Sequence, residues 1–120
     1  MTDKQNFGNR GEEIARDYLI AHHYKILAVK WQSSHLEIDI IAENETHIIF
    51  CEVKTRSNNT FRSPQEAVTL SKQKNIIRAA NNYVLAKKIE KEVRFDIIAI
   101  FLRGNEYTLE HLKEAFLPKW

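Results

Sequence analysis

Residues 36–54, LEIDIIAENETHIIFCEVK, decide the fold of this chain. Strand alternation in 36–42 places Leu36, Ile38 and Ile40 on one face and Glu37, Asp39 and Ile41 on the other. After a polar link at 43–46 the pattern resumes, with Ile49, Cys51 and Val53 on one side and Ile48, Phe50, Glu52 and Lys54 on the other. A link of four residues predicts an antiparallel hairpin. Side-by-side pairing would then gather Glu37, Asp39, Glu52 and Lys54 on one patch of sheet.

Upstream, residues 8–23 have helical spacing, with Ile14, Ala15, Tyr18 and Leu19 on one face and Glu12, Glu13, Arg16 and Asp17 on the rest. Residues 1–7 are expected to be loosely ordered, and the short apolar run YKILAVKW at 24–31 predicts a strand. Downstream, 55–62 read as a loop. Ser63, Pro64, Gln65 and Glu66 form a capping box with Pro at the first helical position, so a helix is expected from Ser63 to about 88. Thr69 and Ser71 are weak helix formers, which predicts a break near Leu70 and a restart capped by Ser71. The β-branched run VRFDIIAIFL at 93–102 predicts an interior strand, and strand–helix–strand order predicts parallel pairing through a crossover. Residues 106–109 read as an edge strand and LKEAF, 112–116, as a closing turn of helix. The sum is an α/β chain of order αβββαββ, a mixed central sheet flanked by helices in a single domain over 1–120.

Composition agrees with that size. With 120 residues, 43% hydrophobic and 28% charged, the chain can bury one ordinary core, and three Gly and two Pro leave no repeat or low-complexity architecture. Cys51, the single cysteine, reads as a core thiol, because one thiol makes neither an internal disulfide nor a multi-cysteine zinc site. The longest apolar run, 97–102, is too short to span a membrane, and the polar start MTDKQNFGNR has no secretory apolar stretch; a cytoplasmic protein is expected. Net charge is only +2, but residues 54–78 carry Lys54, Arg56, Arg62, Lys72, Lys74 and Arg78 against Glu66 alone. That stretch reads either as a solvated face or as a surface that contacts nucleic-acid phosphates.

Three acids and a lysine on a sheet face that also carries Ile41, Ile48 and Phe50 need a charge partner. A divalent cation with all-oxygen coordination supplies one, and Mg²⁺ or Mn²⁺ suits two carboxylates completed by water and phosphate oxygens. A lysine beside it can orient a water or steady a phosphate. The competing reading is an ion-pair network in which Lys54 neutralises Glu52 and Asp39. The triplet Glu52, Val53, Lys54 is weak alone, since 12 Glu and 11 Lys predict about one such triplet by chance.

Its company is more specific. Asp39 followed by Glu52, Val53 and Lys54 resembles the active-site signature of the PD-(D/E)xK nuclease superfamily, whose restriction-endonuclease-like αβββαβ core is similar to the order above. More closely, the chain resembles the YraN family of bacterial proteins. That likeness runs from Gly8 to Phe116: Gly8, Gly11, Glu12, Ala15, Tyr18 and Leu19; EIDII; FCEVKTR; KQ with Ala80 and Tyr83; RFD at 94–96; and His111, Leu112, Ala115 and Phe116. The resemblance implies Asp39 and Glu52 as metal ligands, Lys54 as the catalytic lysine and Glu12 or Glu37 as an auxiliary acid. It also implies an endonuclease-like hydrolase acting on nucleic acid, with DNA the expected polymer. Gln73 is similar to a helix glutamine of related nucleases, and reads equally as an exposed helical residue. The chain departs from the family pattern at Leu36, where glycine is usual, and at Lys30 and Gln32, which replace Asn and Arg.

His22, His23, His35, His47 and His111 show no paired metal spacing and are assigned to surface or packing roles. Trp31 and Trp120 could stack on bases, but a lone aromatic is more often a core or chance residue. Asp96 is expected to pair with Arg94 or Arg56. A nuclease-like fold without turnover, serving as a nucleic-acid-binding or scaffold module, is the alternative to catalysis.

Overall fold

The structure, a computed structural model, describes residues 3–57 and 68–118. Helix α1 spans Asp3–Ala21, followed by strands β1 (Lys25–Ser33), β2 (Leu36–Glu43) and β3 (His47–Arg56). Helix α2 (Leu70–Lys87) and strands β4 (Glu92–Arg103) and β5 (Glu106–Phe116) complete the order. The strands form one sheet in the order β1-β2-β3-β4-β5. All neighbours are antiparallel except β3 and β4, which run parallel from His47↔Glu92 to Arg56↔Phe101. This is the mixed sheet of a restriction-endonuclease-like αβ core. Among the described residues, no helix is long and apolar enough to cross a membrane.

Each sheet face has its own core. On one, Ala15 and Leu19 of α1 pack over Ile40, Ala42, Ile49, Cys51, Ile98 and Ile100. On the other, Ile76, Ile77, Ala80 and Tyr83 of α2 pack over Ile38, Ile41, Phe50, Phe95 and Ile97. Trp31 packs edge-on against Tyr83 in this second core, at 5.2 Å between ring centroids. Helix α1 lies so close to β3 that a Cβ at Gly11 would collide with the Thr55 side chain.

Four expectations are corrected. Helix α1 begins at Asp3, ahead of the expected start at 8. In α2, Thr69 rather than Ser71 is the cap: its backbone is extended, its Oγ1 accepts the Lys72 N–H at 3.2 Å, and Ser71 lies inside an unbroken helix. The expected start at Ser63 falls outside the described residues. LKEAF is strand, not helix, because β5 stays paired with β4 as far as Phe95↔Phe116. A register shift between Phe95 and Ile97 absorbs the irregularity there, Glu114 takes φ 53, and its N–H finds Asp96 Oδ1 at 3.1 Å.

The fourth correction bears on the site. Strict alternation puts Ile40 with Leu36 and Ile38, but Ile40 packs on the α1 face and Ile41 on the α2 face. The pleat is broken around Asp39: Lys30, between the pairs Val29↔Ile40 and Trp31↔Ile38, has φ 49, and the β2–β3 register ends at Ile40↔Cys51.

Asp96, fully buried, ties α1 to β4 and β5. Arg94 donates to both its oxygens at 2.9 and 2.8 Å, and His111 Nε2 lies 2.7 Å from Oδ2. Burial pushes Asp96 up, but His111, Arg94 and the Glu114 N–H hold it below the usual carboxylate range. An ionised Asp96 takes its hydrogen bond from His111 Nε2–H, and the Tyr18 hydroxyl is hydrogen-bonded to Nδ1 at 2.9 Å. Arg94 also donates to the Tyr24 hydroxyl at 2.7 Å.

The close approach of α1 makes a contrast between its glycines. Gly11→Ala should lower stability by about 1–3 kcal/mol, because Thr55 cannot retreat from β3. Gly8→Ala, with nothing within 4 Å of its added Cβ, should raise it by about 0.5–1 kcal/mol. Thermal denaturation of the two variants checks both signs.

Candidate functional site

Beyond Ile40↔Cys51 the strands β2 and β3 part, and side chains fill the opening. Asp39 Oδ2 accepts the Val53 N–H at 2.8 Å, the backbone donor that continued pairing would have used. Glu52, one residue earlier on β3, is 4% exposed and its carboxyl faces that of Asp39. Lys54 Nζ stands 3.8 Å and Lys72 Nζ 3.9 Å from Glu52 Oε1. Among the described residues, no donor meets the buried Oε2.

Two acids this close resist double ionisation. Burial pushes the Glu52 carboxyl up to about 8, the Asp39 charge adds to the rise, and Lys72 and Lys54 oppose it. Burial also raises Asp39, against the Val53 N–H, Glu52 and Lys72. The pair therefore gives up its protons less readily than two separate carboxyls would.

A hard divalent cation fits this donor set. It would give the orphaned Oε2 a partner, with Asp39 and Glu52 as ligands. Among the described residues no third His, Cys, Asp or Glu joins them. Two protein carboxylates with the remaining positions left to oxygen from water or substrate is the usual magnesium arrangement.

The auxiliary acids lie at the edge. Glu12 of α1 and Asp39 line a cleft of about 180 Å³ between α1, β1 and β2, along with Asn9, Arg16 and Lys30. Burial raises Glu12, and the Asp39 charge adds to that, while Lys30 at 3.4 Å pulls it down. Lys30 also donates to Asn9 Oδ1 at 2.9 Å. Glu37 accepts from Gln32 at 3.3 Å, and its charge is felt by both Asp39 and Glu12.

The basic stretch divides. Lys72 enters the carboxylate site, while Gln73, half-buried, donates to the Val68 carbonyl at 3.1 Å and secures the start of α2. Lys74 and Arg78 are exposed one turn apart on α2. Arg56 ends β3 and donates to its neighbour, the Thr55 carbonyl, at 2.8 Å. Arg62 and Trp120 fall outside the described residues. Two features escape the sequence. Lys72 belongs with Glu52, although no spacing relates positions 52 and 72 until α2 crosses the sheet. His111 is a buried hydrogen-bonding residue between Tyr18 and Asp96, and only the β4–β5 register brings them together.

Comparison with known proteins gives one result. The model of the family described as "Uncharacterised protein family UPF0102" matches residues 11–100. A UPF0102 protein of Bacteroides thetaiotaomicron is 42% identical over 118 residues, covering 98% of each chain. One of Flavobacterium psychrophilum is 38% identical over 116 residues, 97% of this chain and 98% of its own. Another, of Parabacteroides distasonis, is 39% identical over 116 residues, 97% of this chain and 96% of its own.

The raised Glu52 carboxyl fixes a pH dependence. A carboxyl with a folded pKa near 8 and an ordinary value of 4.5 keeps its proton more tightly in the folded state, so its contribution is present below about pH 4.5 and is lost as pH rises through 8. Glu52→Gln removes that loss. In the absence of metal the variant should gain on the wild type steadily from pH 5 to pH 9, reaching roughly 1–3 kcal/mol. Denaturant melts across that range measure it, and parallel curves would contradict the buried-acid account.

Proposed function

The chain belongs to the UPF0102 family, the YraN proteins, and on that footing we propose that it is a metal-dependent phosphodiesterase acting on nucleic acid, with DNA as substrate. The observation that carries this reading is the pair of half-buried Asp39 and buried Glu52, with an orphaned oxygen on Glu52 and two lysines against it. Asp39 and Glu52 would hold Mg²⁺ or Mn²⁺. When bound, such an ion polarises a phosphodiester and lowers the pKa of water.

The protein's own groups do the rest. Val53 N–H fixes the Asp39 carboxylate in place, so one ligand is set before anything binds. Lys54, anchored on an interior strand, presents a point charge where a phosphate oxygen gains negative charge, or holds the attacking water by a hydrogen bond. Glu12 and Glu37 add negative potential at the rim and favour a cation there. Lys74 and Arg78 on α2, with Arg56 at the end of β3, extend the surface along a backbone. Their contacts would be to phosphates, and so largely independent of sequence.

One observation favours the alternative, a nucleic-acid-binding module without turnover: Lys54 and Lys72 both stand against Glu52 Oε1, as in a structural ion-pair network. Cleavage separates the two readings. Linear, nicked and branched DNA should be cut in Mg²⁺ or Mn²⁺, and Lys54→Met or Asp39→Asn should lower the rate by about 100-fold or more while the protein stays folded. Absence of cutting on all of these substrates would leave the binding module standing.

The surface makes its own prediction. Neutralising Lys74 and Arg78 together should weaken DNA binding evenly across sequences and reduce the salt slope by about 0.9 per lost duplex phosphate contact. An unchanged affinity and slope in a salt titration would return these residues to the solvated face.

A further inference from the structure

Two ammonium groups address a single oxygen of Glu52, and they are held differently. Lys54 rises from β3, with its side chain 25% exposed; Lys72 comes from the first turn of α2, at 41%. The backbone under Lys72 is fixed. Thr69 Oγ1 accepts its N–H, the Gln73 side chain clasps the Val68 carbonyl, and Val68 is buried. That leaves the half-exposed lysine side chain itself as the part able to swing. Burial raises both carboxyls, and the Lys72 charge draws both back down, so it acts on the pair and not on Glu52 alone.

We propose that Lys72 is a place-holder for the metal: its ammonium neutralises the Asp39–Glu52 pair in the free protein and moves to a substrate phosphate as the divalent cation enters. The inference rests on the carboxylate pair being the metal site of the function proposed above. A dication bound by Glu52 and an ammonium 3.9 Å from Oε1 repel each other, and the flexible partner gives way. A phosphate oxygen is the compensating charge that a nucleic acid brings to the same spot. Metal and nucleic acid therefore help each other to bind, by the same factor in both directions. Lys72 is a positioning residue on this account, and it sets the order in which the site fills.

Calorimetric titration with Mn²⁺ tests it, with wild type and variants compared at the same neutral pH. Lys72→Met keeps the stem and removes the charge. Without DNA, the variant should bind Mn²⁺ about tenfold more tightly than the wild type. Lys87→Met, a charge-matched change in the last turn of α2, should leave the affinity unchanged. Adding a DNA duplex should tighten Mn²⁺ binding to the wild type and do so far less in Lys72→Met. Equal or weaker Mn²⁺ binding by Lys72→Met, with the wild type binding, would overturn the place-holder role and leave the metal site intact. If neither protein takes up Mn²⁺, with or without duplex, the carboxylate pair is no metal site, and the proposed function falls together with this inference.

Discussion

The hydrogen bond from the Val53 N–H to the Asp39 carboxylate replaces a rung of the β2–β3 ladder, and the geometry of the site follows from it. Strands that stayed paired would have left Asp39 and Glu52 as neighbouring surface acids, solvated and free to repel each other. Because the strands part, a side chain satisfies the backbone donor. This anchors one carboxyl of the pair. It also breaks the pleat, sending Ile40 to the α1 core and Ile41 to the α2 core, so β2 is clamped from both faces around the break. The opposing residue on β1, Lys30, takes a left-handed conformation and reaches Glu12 and Asn9 of α1.

Asp96 and Glu52 show two ways in which this sheet buries an acid. Asp96 receives Arg94, His111 and the Glu114 N–H; its charge is met on every side, and it holds α1, β4 and β5 together. Glu52 has two lysines at the limit of ion-pair distance, one bare oxygen and a second acid beside it. A buried acid that is fully satisfied rigidifies its surroundings, whereas an incompletely satisfied one destabilises the free protein and has affinity to spare for a cation. The two acids sit on neighbouring strands: β4 with Asp96 lies in parallel register beside β3, Cys51↔Asp96, one residue from Glu52.

The two helices bring different things to the opening. Helix α1 comes close because Gly11 has no side chain to hold it off Thr55, and the next residue, Glu12, reaches the rim. Helix α2 presents its N-terminal turn, where the Thr69 cap and the Gln73 clasp set the height of Lys72 over Glu52. One helix adds negative charge at the rim and the other adds positive charge over Glu52. The site lies between these opposite charges.

The hairpin, the parallel crossover strand and the nearness of Asp39 to Glu52 were legible in the sequence, because a four-residue link and strand–helix–strand order fix strand direction locally; the side-chain phase around Asp39 was not. The Asp96–Arg94 pair was legible for the same reason, lying two residues apart on one strand. Tertiary structure decided what depends on distant contacts. LKEAF became strand because β4 offered a ladder and Asp96 received the N–H freed at the register shift, which outweighs local helix propensity. Ile40 changed face because the ladder ended at Asp39. Lys72 joined Glu52, and His111 joined Tyr18 and Asp96, across separations over which sequence carries no periodicity; only the packing of helices on the sheet sets those distances.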